Sequence, residues 1–208
     1  MTHLSVTSSE TSASLAAIVE DVGAEVPGYR KRTSPDGMLT VAFTDIEGST
    51  AMMESIGEAR WMEVIFIHNR MVRECVRGHG GDVIKSQGDG FMVTFSSASA
   101  ALDWAVALQQ QLARYNAGAP IAPLHVRVGM HTGNIFQADE DFLGKAVVLA
   151  ARITGRARGD EILVSAASRE YTEHLGRWTY GRPMQLRLKG LTRVECVYSL
   201  DWAPSTTQ

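Results

Sequence analysis

Two rhythms of apolar residues alternate along this chain, and the switches between them set out its elements. Leu39 to Thr44 is a short, nearly continuous apolar run of the kind that forms a buried strand. From Ser49 to His79 the rhythm changes, with a break near Gly57. Trp61, Val64, Ile65, His68, Met71, Val72 and Cys75 recur there at helical spacing. Asp82 to Lys85 and Phe91 to Phe95 read as short strands around the turn Ser86-Gln87-Gly88-Asp89-Gly90, a hairpin. Ala98 to Tyr115 predicts a helix that stops at Asn116 and Gly118. Leu124 to His131 alternates, with Val126, Val128 and Met130 on the inward side. Gly144 to Ala157 is a strongly apolar helix, and Glu161 to Val164 a strand. Trp178 to Leu200 reads as two strands meeting near Gly190. The order β-α-α-β-β-α-β, followed by further α and β additions, predicts an α+β antiparallel sheet with helices packed on one face.

The first 34 residues follow neither rhythm. They begin in Ser and Thr, pass through LAAIVEDVGAEV and run into the polar PGYRKRTSPDG, residues 27–37. This is an N-terminal tail and linker, with room for one short amphipathic helix. The Pro35-Asp36-Gly37 turn opens the main domain, which extends over residues 35–202 and leaves 203–208 as a tail.

Composition narrows the partners. Of the 208 residues 45% are apolar, enough for one proper core, and the net charge is −3. With no basic surplus to coat nucleic acid or an anionic membrane, any phosphate ligand must be held by a few placed groups. No run reaches the ~18 apolar residues of a membrane helix, so no direct membrane insertion is expected. The start THLSVTSSETSAS has no basic and apolar leader pattern, and the expected location is the cytoplasm. Cys75 and Cys196 fit neither a zinc spacing nor a disulfide framework and are expected as reduced, small core residues.

The chemistry concentrates where strands end. In VAFTDIEGST, residues 41–50, a strand aimed into the core ends on Asp45 and turns through Gly48. An unpaired buried carboxylate is costly, so something must meet it. Asp89 has a matching setting in the hairpin turn. If the two strands are neighbours, both carboxylates reach one sheet edge and form a hard-oxygen site suited to Mg²⁺ or Mn²⁺. Each alone also fits turn or helix-cap chemistry. The residues Ile46 to Thr50 lead into a helix whose first N–H groups lack internal partners, and Gly48 lets a ligand approach the backbone; Gly48, Ser49 and Thr50 thus suit a triphosphate. Arg152 is the only charge on an otherwise apolar helix, AVVLAARITG, where a snorkelling arginine is the plainer explanation.

Five motifs in order, FTDIEGST, KSQGDGF, VGMHTGN, DFLGKAVVLAAR and LKG, resemble the class III nucleotidyl cyclase catalytic domain over residues 38–200. That resemblance implies a ferredoxin-like βααββαβ sheet and a homodimer with two composite active sites. It implies two metal ions per site on Asp45, Asp89 and the Ile46 carbonyl, and ATP as substrate. Lys85 and Asp141 match the purine-reading pair. Lysine can donate to adenine N1 and aspartate accept from the N6 amine, whereas guanine reverses that edge. Arg152 matches the arginine that steadies charge at the α-phosphate, and Lys189 the lysine that touches the triphosphate. The implied activity is adenylate cyclase.

The pattern departs at Val148, where family members carry an asparagine one helical turn before the arginine. Loss of such a donor costs ~3 kcal/mol, roughly a hundredfold in rate. A weakly active or inactive nucleotide-binding regulatory module is therefore the alternative. The compact segment HTGNIFQADEDFLG leaves little room for a long dimerisation arm, so a weak dimer is expected. Gly80-Gly81-Asp82 opens a strand and does not occupy the hairpin tip, which argues against a diguanylate cyclase, and no G-x-x-x-x-G-K-[ST] loop is present.

Overall fold

The computed structural model describes residues 38–118, 120–134, 144–188 and 193–203. In chain order the elements are β1 (Met38–Ile46), α1 (Ser49–Ile56), α2 (Glu58–Gly78), β2 (Asp82–Gln87), β3 (Gly90–Phe95), α3 (Ala98–Ala117), β4 (Val126–Asn134), α4 (Gly144–Thr154), β5 (Ile162–Ser165), α5 (Ala166–Glu170), β6 (Met184–Arg187) and β7 (Val194–Ser199). They build one sheet in the order β2-β3-β1-β4-β5-β7-β6. Every neighbouring pair is antiparallel except β4 and β5, which α4 connects as a crossover.

β1 lies between β3 and β4, and all of it beyond Met38 is buried. A central strand covered on both faces reads as a continuous apolar run, which is how Leu39 to Phe43 appears in the sequence. Its alternate side chains enter different cores. Ala42 and Ile46 pack with Val64 and Val72 of α2 and with Trp104 and Leu108 of α3. Leu39, Val41 and Phe43 pack with Val147, Ala150 and Ala151 of α4.

The α+β class and the largely antiparallel sheet agree with expectation. The placement of all helices on one face does not. α4 covers the face opposite α2 and α3, because its small residues let it lie close on β1 and β4. A Cβ on Gly129 of β4 would stand 2.3 Å from the backbone nitrogen of Thr154, so only glycine permits this approach. The uninterrupted apolar run of β1 is the sequence trace of that second layer.

The helix break falls at Gly57, with φ +82°, between α1 and α2. Both cysteines are free thiols, Cys75 buried and Cys196 half-buried. No helix among the described residues is long and apolar enough to cross a membrane. The tail and linker of residues 1–34 and the Gly190 junction lie outside the described residues.

Candidate active site

β1 delivers Asp45 to the sheet edge, and β3 begins just after Asp89. The pairing of Thr44 with Phe91 brings the hairpin turn to the same edge as the end of β1. There the Ile46 N–H donates to Asp89 Oδ2 at 3.2 Å. The two carboxylates are 0% and 5% exposed, so the juxtaposition expected from their matching settings is present and buried.

The chain leaves β1 through a turn secured by the Glu47 N–H, which donates to the His125 carbonyl at 2.8 Å. Gly48 then adopts φ +68°, a left-handed conformation open to glycine, and no atom of the described residues lies within 4 Å of where its Cβ would stand. It is the N-cap of α1 and offers no side-chain cap, so the first-turn N–H groups are not met from that side. Ser49 is half-buried and Thr50 exposed. This turn can receive an anion beside the carboxylates.

What meets Asp45 is Arg127. Its Nε donates to Asp45 Oδ2 at 2.8 Å, and Nη2 donates to the same oxygen. The arginine side chain is 13% exposed, so the ion pair is nearly buried. Arg127 stands directly opposite Asp45 in the β1–β4 register. Nothing local in the sequence singles it out. Its signal is a charge set between the inward Val126 and Val128, and the strand pairing is needed to aim it at Asp45.

The donor set fits a hard divalent cation. It consists of two buried carboxylates at a place that already accommodates positive charge against Asp45. Among the described residues no cluster of three or more His, Cys, Asp or Glu forms a metal cage, so the Ile46 carbonyl, phosphates and water would complete the coordination.

The remaining candidates sit on separate elements. Lys85 is half-buried on the edge strand β2, just past a bulge between Val83 and Lys85, opposite Met92. Arg152 lies in the last turn of α4, half-buried, with the half-buried Val148 one turn earlier. Asp141 and Lys189 lie outside the described residues. His131 shares a 3.0 Å hydrogen bond with Ser165 Oγ, and burial, then the charge of Lys145, lowers its pKa to about 4. It ties β4 to the end of β5.

A sequence profile of the adenylate and guanylate cyclase catalytic domain matches residues 32–200. The chain is 34% identical over 160 residues to an adenylate cyclase of Mycosarcoma maydis, spanning 65% of this chain and 6% of that protein. It is 38% identical over 142 residues to a putative adenylate cyclase of Rhizobium meliloti, spanning 64% of this chain and 23% of that one. A protein of uncharacterised function from Mycobacterium tuberculosis is 30% identical over 139 residues, spanning 66% of this chain and 46% of its own length. The chain thus spans less than half of each of these relatives. Among solved structures, the adenylyl cyclase CyaB of P. aeruginosa superposes with a TM-score of 0.69 at 24% identity, over 81% of this chain and 95% of that one. The guanylyl cyclase Cya2 gives 0.70 at 21%, over 82% and 95%. These likenesses establish the fold, and the profile match the family: the chain belongs to the adenylate and guanylate cyclase catalytic domains.

Proposed function

We propose that this domain is an adenylyl cyclase that converts ATP to 3′,5′-cyclic AMP and pyrophosphate. The observation that carries the reading is the buried Asp89, which accepts from the Ile46 N–H at the end of β1 where the buried Asp45 stands, beside the Gly48 turn. In this reading the two carboxylates and the Ile46 carbonyl hold two Mg²⁺ or Mn²⁺ ions. Such ions supply charge neutralisation of the phosphates and acidification of the ribose 3′-hydroxyl.

The chain's own residues bind and orient. The turn through Gly48, Ser49 and Thr50 presents backbone N–H groups to the triphosphate, with Lys189 as a further cation on it. Lys85 donates to adenine N1 and Asp141 accepts from N6, which favours ATP over GTP. Arg152 steadies charge developing at the α-phosphate as the 3′-oxygen attacks in line and pyrophosphate leaves. In the homodimer of the proposal, Asp45 and Asp89 come from one protomer and Lys85, Asp141 and Arg152 from its partner. Val148 withholds an amide beside Arg152 and slows the reaction by roughly a hundredfold.

The test is cyclic AMP formation by the purified protein from ATP with Mn²⁺, beside an Asp45→Ala control. Product that vanishes in the control supports the proposal. ATP binding without product favours the second reading, a nucleotide-binding regulatory module, for which Val148 is the specific observation.

A further inference from the structure

His68 lies in the middle of α2, fully buried, its ring edge-on to Phe91 with centroids 5.8 Å apart. Its Nδ1 shares a 3.0 Å hydrogen bond with Asn69 Oδ1, and no described residue meets Nε2. Thr44 of β1 is also fully buried, with its hydroxyl met by no described residue, and it pairs with the same Phe91 across the β1–β3 register. Thr44 faces the α2 layer, because Ala42 and Ile46, its neighbours two residues away on either side, pack there with Val64 and Val72. Two unmet polar atoms therefore approach Phe91, one from the helix and one from the strand.

Packing does not account for them. A buried polar atom without a partner is destabilising, and an apolar side chain of similar size would fill either place without that cost. Their position is distinctive. Asp89 precedes Phe91 by two residues, and Asp45 follows Thr44 directly. Arg73 ties α2 to the same hairpin, with its guanidinium 5.1 Å above the Phe91 ring and Nη2 donating to Ser86 Oγ at 2.8 Å. The charge of Asp89 also acts on the imidazole, opposing the larger influence of burial.

We propose that His68, together with Thr44, is a positioning residue for the metal-binding carboxylate Asp89. From the interior side it sets the Asp89 turn against the end of β1, where Asp45 stands on the other face, so cation affinity depends on it. This rests on the reading of Asp45 and Asp89 as metal ligands.

The experiment uses the full chain with His68→Phe, Thr44→Val and the double variant. Mn²⁺ binding is measured by calorimetry with 3′-deoxy-ATP, which lacks the attacking hydroxyl, and melting is followed without metal. His68→Phe is expected to melt at or above the wild-type temperature while Mn²⁺ affinity falls about tenfold. Thr44→Val weakens affinity several-fold, and the double variant by less than the product of the two, as residues acting together should. A purely structural His68 gives the reverse, a lower melting temperature at unaltered affinity, and that result overturns the proposal. Should His68→Phe fail to fold, Thr44→Val decides alone, and unchanged affinity overturns it. Failure of the cyclase reading is distinct: the wild-type chain then binds Mn²⁺ and the analogue yet forms no cyclic AMP. A wild-type chain that binds no Mn²⁺ overturns both.

Discussion

Asp45 has no access to water, and the Arg127 guanidinium stands where its charge can be met from within the sheet. Removing one partner of a buried ion pair leaves the other charge uncompensated, at a cost of about 3–5 kcal/mol. Arg127→Ala should therefore lower the melting temperature markedly. Because the carboxylate suits a divalent cation, Mn²⁺ should restore more stability to the variant than to the wild type. Equal metal response in calorimetric melts of the two proteins would contradict this. A second single-residue effect comes from His131, whose pKa is lowered to about 4 by burial and then by Lys145. The ordinary value is 6.5, so between pH 6.5 and 4 the unfolded chain binds the proton that the fold refuses. The stability tied to neutral His131 is complete above pH ~6.5 and declines as the pH falls toward 4, by roughly 2 kcal/mol between pH 7 and 5. His131→Gln should remove about that much of the slope in urea titrations at the two pH values. His68, also lowered to about 4, contributes in the same direction in both proteins. At this scale Asp45 and Asp89 were legible in the sequence because each stands where an apolar run meets a glycine turn. Arg127 was not, since nothing local says which strand it will face.

Among the elements, α4 against β4 shows how tightly the second helical layer is set. Thr154 donates its hydroxyl to the Ala150 carbonyl at 2.9 Å, and its backbone occupies the space a Gly129 side chain would need. Gly129→Ala must push α4 away from the sheet. Overpacking of this kind costs typically 1–3 kcal/mol. The variant should lose that much in equilibrium unfolding, and activity should drop further, because Arg152 is carried by the last turn of α4. Unchanged stability would show that α4 can shift freely. The elements themselves could be read from periodicity, with ends displaced by a few residues: β4 runs on to Asn134, and α4 stops at Thr154. The side of the sheet each helix takes could not, because it depends on which alternate residues of β1 each helix covers.

For the molecule as a whole, the proposed cyclase activity requires two chains to share each site, a relation no single chain displays. The family was visible in five ordered motifs and the antiparallel α+β class in the order of elements along the chain, whereas the strand order within the sheet was not. Of the purine-reading pair of the proposal, Lys85 stands on the edge strand β2, and Asp141 lies outside the described residues. The most direct test mixes two inactive proteins, Asp45→Ala and Arg152→Ala, and measures cyclic AMP formed from ATP with Mn²⁺. If the carboxylates come from one protomer and the arginine from its partner, each heterodimer keeps one intact site, and the mixture regains a substantial part of wild-type activity. Silence on mixing, with heterodimers demonstrated by sedimentation or native mass spectrometry, would contradict the composite site.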